Sequence, residues 1–152
     1  MEIIFLEDDA NMRMHTAELL KERGYPVLDF PRIDQVKEYL QLHSNSISCI
    51  ITDLNMSDEW LDEYQPESDG CMLSGWVWLK YFVFTQHPDI PTIIYSGYNT
   101  YLKEYLHARD RLNEIERKNL YFINKGAEQG EGFAGLIDLL ENLGVQRNRI
   151  LI

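Results

Sequence analysis

Apolar residues fall along the chain in two alternating rhythms. Five short runs, at 2–7, 26–30, 48–53, 91–95 and 120–124, have the length of strands. Three of them hold nearly unbroken β-branched or aromatic stretches (IIFL, CIIT and TIIY), the pattern of strands covered on both faces. Between the runs the spacing becomes helical. Over 10–23, Met14, Ala17 and Leu20 recur at near-helical intervals, and Gly24 supplies a stop. Ile33, Val36 and Leu40 repeat the pattern over 33–42. A longer segment, 99–118, carries Tyr101, Leu102, Tyr105, Leu106, Leu112 and Ile115. The last, 133–143, carries Phe133, Leu136, Ile137 and Leu140 and stops at Gly144.

Such alternation predicts an α/β domain: a parallel sheet with helices on both faces, joined by right-handed crossovers. In sheets of this kind ligands bind beyond the carboxyl ends of the strands, near the point where strand order reverses. The last residue of each strand and the first of each following loop are therefore the candidates for chemistry.

Composition narrows the setting. The 152 residues suit one domain, with 45% hydrophobic and 26% charged side chains, a globular profile. A net charge of −11 leaves no basic excess to displace counterions from a nucleic acid. Cys49 and Cys71 are too few for a disulfide framework or a metal cluster. His15, His43, His87 and His107 show no ligand spacing either. The start, MEIIFLEDD, is acidic where an export signal is basic, and the apolar stretch from Trp76 to Phe84 is short and broken by Lys80. The expectation is a cytoplasmic protein with no membrane or nucleic-acid partner.

At the strand ends the sequence places Glu7-Asp8-Asp9, then Asp53, Ser96 and Lys125. Clustered carboxylates stay ionised together only beside a compensating cation. A hard ion that keeps its waters, Mg²⁺, suits a site with few protein ligands. A carboxylate beside it can attack phosphorus to give an acyl phosphate, with a lysine and a hydroxyl as partners for the transferred oxygens. Each residue also has an ordinary reading. Asp8 or Asp9 would cap the helix that follows, Asp53 and Ser96-Gly97 would start turns, and Lys125 would be a solvated lysine. Four such residues in order, each at a strand end, favour the site.

In its order of an acidic pair, TDLNM, TIIYSG and FINKG, the chain resembles the receiver domains of two-component response regulators, over essentially its whole length. The resemblance implies a flavodoxin-like (βα)5 fold, a doubly wound five-stranded parallel sheet of order 2-1-3-4-5, and one domain over 1–152. It implies that Asp53 accepts a phosphoryl group, that Asp8, Asp9, Asp53 and the backbone carbonyl of Asn55 hold Mg²⁺, and that Lys125 serves the transfer. Ser96 would be the switch hydroxyl and Phe122 the aromatic that changes rotamer. A histidine kinase or phosphotransfer protein would be the donor, and a downstream protein the target. A homodimer through the face of the fourth and fifth helices and fifth strand, near Tyr98, Tyr101 and Tyr105, is a further expectation.

Two features depart from the family. Gly126 stands where a proline usually follows the lysine, which leaves the backbone freer. Gly75, the glycine expected to open the third helix, lies 22 positions after Asp53, and the intervening 57–70 is an acidic insertion of local charge −6. That insertion either covers the site, adds a metal ligand or repels anionic donors, or it is a solvated loop. The segment from Trp76 to Phe84 has strand propensity but in this fold should be the third helix, covered on most sides. Two rivals remain: a phosphorylation-independent scaffold, and an aspartyl-nucleophile phosphatase. The second lacks an acid two residues after Asp53, where Asn55 cannot exchange a proton.

Overall fold

The computed structural model describes residues 1–54, 56, 74–97, 119–126 and 132–148. The segment 99–118, Asn55, Cys71, Tyr98, His107 and the acidic insertion lie outside these residues.

Five strands, β1 (Glu2–Leu6), β2 (Val27–Phe30), β3 (Ile47–Thr52), β4 (Thr92–Ser96) and β5 (Leu120–Asn124), form one sheet. Its order is β2-β1-β3-β4-β5 and every pairing is parallel. The expected topology is thus the observed one. Strand order reverses between β1 and β3, so the ends of those two strands flank the crevice where ligands bind.

Burial on both faces explains the unbroken apolar runs. Ile4, Leu6 and Ile50 pack on one side of the sheet, while Ile3, Phe5, Cys49 and Ile51 pack on the other. Helices α1 (Ala10–Glu22) and α4 (Gly132–Asn142) cover the second side with Ala17, Leu20, Leu136, Ile137 and Leu140. Helix α2 (Ile33–His43) covers the first with Ile33, Val36 and Leu40. Met14 departs from the expected core face of α1: it is 59% exposed, because the buried stripe runs through Thr16, Ala17 and Leu20.

The segment rich in tryptophan is helical, as its place in the fold requires. Helix α3 comprises Ser74–Trp78, one wider π turn at Leu79–Val83, and Phe84–Gln86. Trp76, Trp78, Leu79 and Val83 are wholly buried in the first core, and Trp76 meets Phe84 edge-on at 5.8 Å. Tertiary burial of large apolar side chains has overridden their strand propensity. Among the described residues no helix is long and apolar enough to cross a membrane.

Candidate functional site

The crevice is built by the chain turning off three strand ends. After β1, Glu7 still follows the sheet, its N–H donating to Phe30 O at 3.1 Å, and it is 2% exposed. The chain then turns outward. Asp9 becomes the N-cap of α1, its Oδ1 accepting from Met12 N at 3.0 Å. Arg13 braces this turn by donating to Glu7 O at 3.0 Å and pairing with Asp29 at 3.4 Å. After β3, Asp53 N donates to Leu6 O at 3.2 Å, so its side chain leaves the sheet beside Glu7. The Asp53 Oδ1 accepts from Leu54 N at 2.6 Å.

Gly75 sits directly behind this turn. Its N–H donates to Leu54 O at 2.8 Å, and a Cβ there would lie 2.0 Å from Asp53 O. The expectation that Gly75 opens the third helix is met, and the reason is steric. Only glycine lets the start of α3 press on the backbone of the residue that projects into the crevice.

Lys125 completes the site from β5. Its N–H donates to Ser96 O at 3.1 Å, and its Nζ donates to Asp53 Oδ2 at 2.9 Å and to Glu7 Oε1 at 3.4 Å. Ser96, the last residue of β4, is buried and paired in register with Asn124. Together Glu7, Asp8, Asp9, Asp53, Ser96 and Lys125 line a cleft of about 480 Å³.

Electrostatics in this cleft is dominated by crowded carboxyl groups with, among the described residues, a single ammonium to compensate them. Burial first, and then the Asp53 carboxylate, push the Glu7 carboxyl up to about 8 against the pull of Lys125. Asp8 is raised as well, by burial and then by Asp53. Burial alone would depress the Lys125 ammonium, but Asp53 and Glu7 outweigh it and hold its pKa above the ordinary lysine value. The Glu7 Oε2 is buried without a hydrogen-bond partner. One ammonium facing three carboxylates leaves room, in charge and in hydrogen bonding, for a further cation.

Asp8, Asp53, Ser96 and Lys125 are therefore brought together, as the sequence predicts. Asp9 borders the same cleft, but its Oδ1 is engaged at the N-terminus of α1. Glu7, a strand-end acid to which the family resemblance assigns no role, stands in the site with them. The signal for it was present: an Asp immediately before a helix is the preferred cap, which leaves the two acids ahead of it for the crevice. Phe122 lies half-buried on β5 against the first core, beside Ile94 in register. Among the described residues no three His, Cys, Asp or Glu side chains form a closed metal cage. Such a cage is not what Mg²⁺ needs, since it keeps several waters and takes one or two carboxylates. The donor set of hard oxygens fits that ion.

Neither a protein-family model nor a curated protein sequence matches the chain. Solved structures do. The receiver domain of the hybrid histidine kinase CckA is 18% identical, with 96% of this chain and 100% of that one covered and a TM-score of 0.56. The response regulator TrrA from Thermotoga maritima, solved in complex with Mg²⁺-BeF, is 17% identical over 94% of this chain and 99% of that one, at a TM-score of 0.62. The receiver domain of NtrX from Brucella abortus is 16% identical over 93% and 97%, also at 0.62. At these identities the likeness is one of fold. The chain has the fold of a response-regulator receiver domain.

Proposed function

We propose that this protein is a receiver in phosphorelay signalling and that Asp53 accepts the phosphoryl group. The observation that carries the reading is the ion pair of Lys125 Nζ with Asp53 Oδ2, 2.9 Å long, inside an acidic cleft at the point where strand order reverses. A carboxylate held this way has one oxygen fixed by a backbone N–H and the other by a lysine, so its orientation is set before a donor arrives.

The donor would be a phosphohistidine on a histidine kinase or phosphotransfer protein. An Asp53 oxygen forms the new bond to phosphorus, the P–N bond breaks, and its electron pair stays on the imidazole nitrogen. Lys125 then moves its hydrogen bond from the carboxylate to a phosphoryl oxygen, and the Ser96 hydroxyl donates to another. Mg²⁺, held by Asp8 and Asp53 with Glu7 beside them and the Asn55 carbonyl completing the set, would neutralise charge on the transferred oxygens. Asp9 contributes by fixing the turn.

The switch follows from position. Ser96 ends β4 opposite Asn124, and Phe122 lies two residues before Asn124 on the same face of β5, so a Ser96 drawn toward a phosphoryl group alters the space ahead of Phe122 and with it the adjoining face. That face would meet the downstream protein or a second copy of the chain. The setting this implies is cytoplasmic.

Intact-mass measurement after incubation with acetyl phosphate, with and without Mg²⁺, tests the reading. Wild type should gain one phosphoryl group only with Mg²⁺, and Asp53→Asn should gain none. Folded protein that binds Mg²⁺ but takes no phosphate would point instead to a scaffold that signals by binding alone.

A further inference from the structure

Lys125 leaves β5 into Gly126, which offers no side chain to guide the lysine stem. Gly126, which follows, is exposed, and none of the described residues lies within 4 Å of where its Cβ would stand. The bond from Lys125 N to Ser96 O fixes the Cα, but the four-carbon stem still has its own torsions to set, at an entropic cost. The carboxylates of Asp53 and Glu7 attract the ammonium without dictating its approach, since an ammonium donates in any direction.

Lys125 also stands on a boundary. It lines the acidic cleft and a second cleft of about 460 Å³ on the side of α1 and α4, where His15, Gly126 and Phe133 are among its neighbours. Open space on that side gives the stem somewhere else to go. Tyr95, the residue before Ser96 on β4, also lines this second cleft. Because side chains alternate along a strand, Tyr95 projects to the face opposite Ser96. It is only 6% exposed and packs in the second core, so its ring is held rigidly. The Lys125 Nζ lies 5.7 Å from the ring centroid, within the range of a cation–π contact.

We infer that Tyr95 is a positioning residue for Lys125. Its ring holds the ammonium at the wall between the two clefts, where Nζ reaches Asp53 at 2.9 Å, against a swing of the stem further into the second cleft. For its effect on phosphoryl transfer the inference rests on the receiver reading above.

The test compares the full-length protein with Tyr95→Leu and Tyr95→Phe. Three quantities are read: the NMR shifts of the Lys125 ε-methylene, the rate of phosphorylation by acetyl phosphate at saturating Mg²⁺, and the urea midpoint. Wild type and Tyr95→Phe should show a ring-current displacement of the Lys125 signals that Tyr95→Leu loses. Tyr95→Leu should be phosphorylated about three- to thirty-fold more slowly at unchanged Mg²⁺ affinity, and Tyr95→Phe should recover most of the rate. Should the leucine variant unfold, Tyr95→Met, longer, more adaptable and also without a ring, takes its place. A leucine or methionine variant that matches the wild-type rate overturns the inference, as does a phenylalanine variant that falls equally far. Wild type that takes no phosphate refutes the receiver reading, and the Lys125 signals then decide alone. Displaced signals that revert without the ring uphold the positioning role, and undisplaced ones overturn it.

Discussion

Replacing Gly75 with alanine probes the contact that joins α3 to the Asp53 turn. The added Cβ would stand 2.0 Å from Asp53 O, 2.9 Å from Leu54 Cα and 3.0 Å from Asp53 C. These are backbone atoms, so no side-chain rotation relieves them, and either the start of α3 or the Asp53 turn must retreat. Overpacking of this kind costs about 1–3 kcal/mol. Losing the bond from Gly75 N to Leu54 O, now 2.8 Å, adds about 1 kcal/mol. Alanine returns about 1 kcal/mol through its better helix propensity. The net loss is about 1–3 kcal/mol, or a fall in Tm of roughly 3–10 °C for a domain of this size. Urea unfolding followed by the fluorescence of the buried Trp76 and Trp78 measures it, and Mg²⁺ titration of the same samples reports the displacement of Asp53. A variant within about 0.5 kcal/mol of wild type, with unchanged Mg²⁺ affinity, would refute the reasoning.

Burial raises the folded pKa values of Glu7 and Asp8 above their ordinary ones; for Glu7, near 8 against 4.5, the contribution to stability is fully present below about pH 4.5 and is lost as pH rises through about 8. Metal-free protein should accordingly lose on the order of 1–3 kcal/mol more than Glu7→Gln between pH 5 and 9, and Mg²⁺ should shrink the difference; parallel urea midpoints for the two proteins would contradict this. Asp9→Ala should cost about 1 kcal/mol of stability through the lost N-cap while changing Mg²⁺ affinity less than Asp8→Ala does, which calorimetry distinguishes. Cys49 is wholly buried and burial pushes its thiol pKa up, so in a Cys71→Ser background iodoacetamide should label it only as fast as the protein opens. Prompt labelling under native conditions would be inconsistent with that burial.

Much of this structure was legible in the chain because its strands are covered on both faces. IIFL, CIIT and TIIY must be buried whatever they pack against, and with the two other strand-length runs they alternate with helical spacing in a way that leaves few topologies. Asp53, Ser96 and Lys125 were legible for the same reason: once the strands are placed, their ends are placed. What escaped was decided within a turn. Glu7, Asp8 and Asp9 are consecutive acids, and which one caps α1 depends on the backbone leaving β1 one residue earlier than the apolar pattern indicates. Met14 fits a helical spacing with Ala17 and Leu20, yet the buried stripe passes on the Thr16 side. The π turn at Leu79–Val83 has no counterpart in the apolar pattern. The contact of Tyr95 with Lys125 joins residues thirty positions apart and becomes visible only when β4 and β5 pair.

The most direct test of the central claim is to locate the phosphoryl group. Protein treated with acetyl phosphate and Mg²⁺ is reduced with borohydride, which converts an acyl phosphate on aspartate to homoserine, and is then digested and sequenced by mass spectrometry. Homoserine is expected at position 53, dependent on Mg²⁺ and absent from Asp53→Asn. Homoserine at another acid of the cleft, or none in folded protein that binds Mg²⁺, would contradict it.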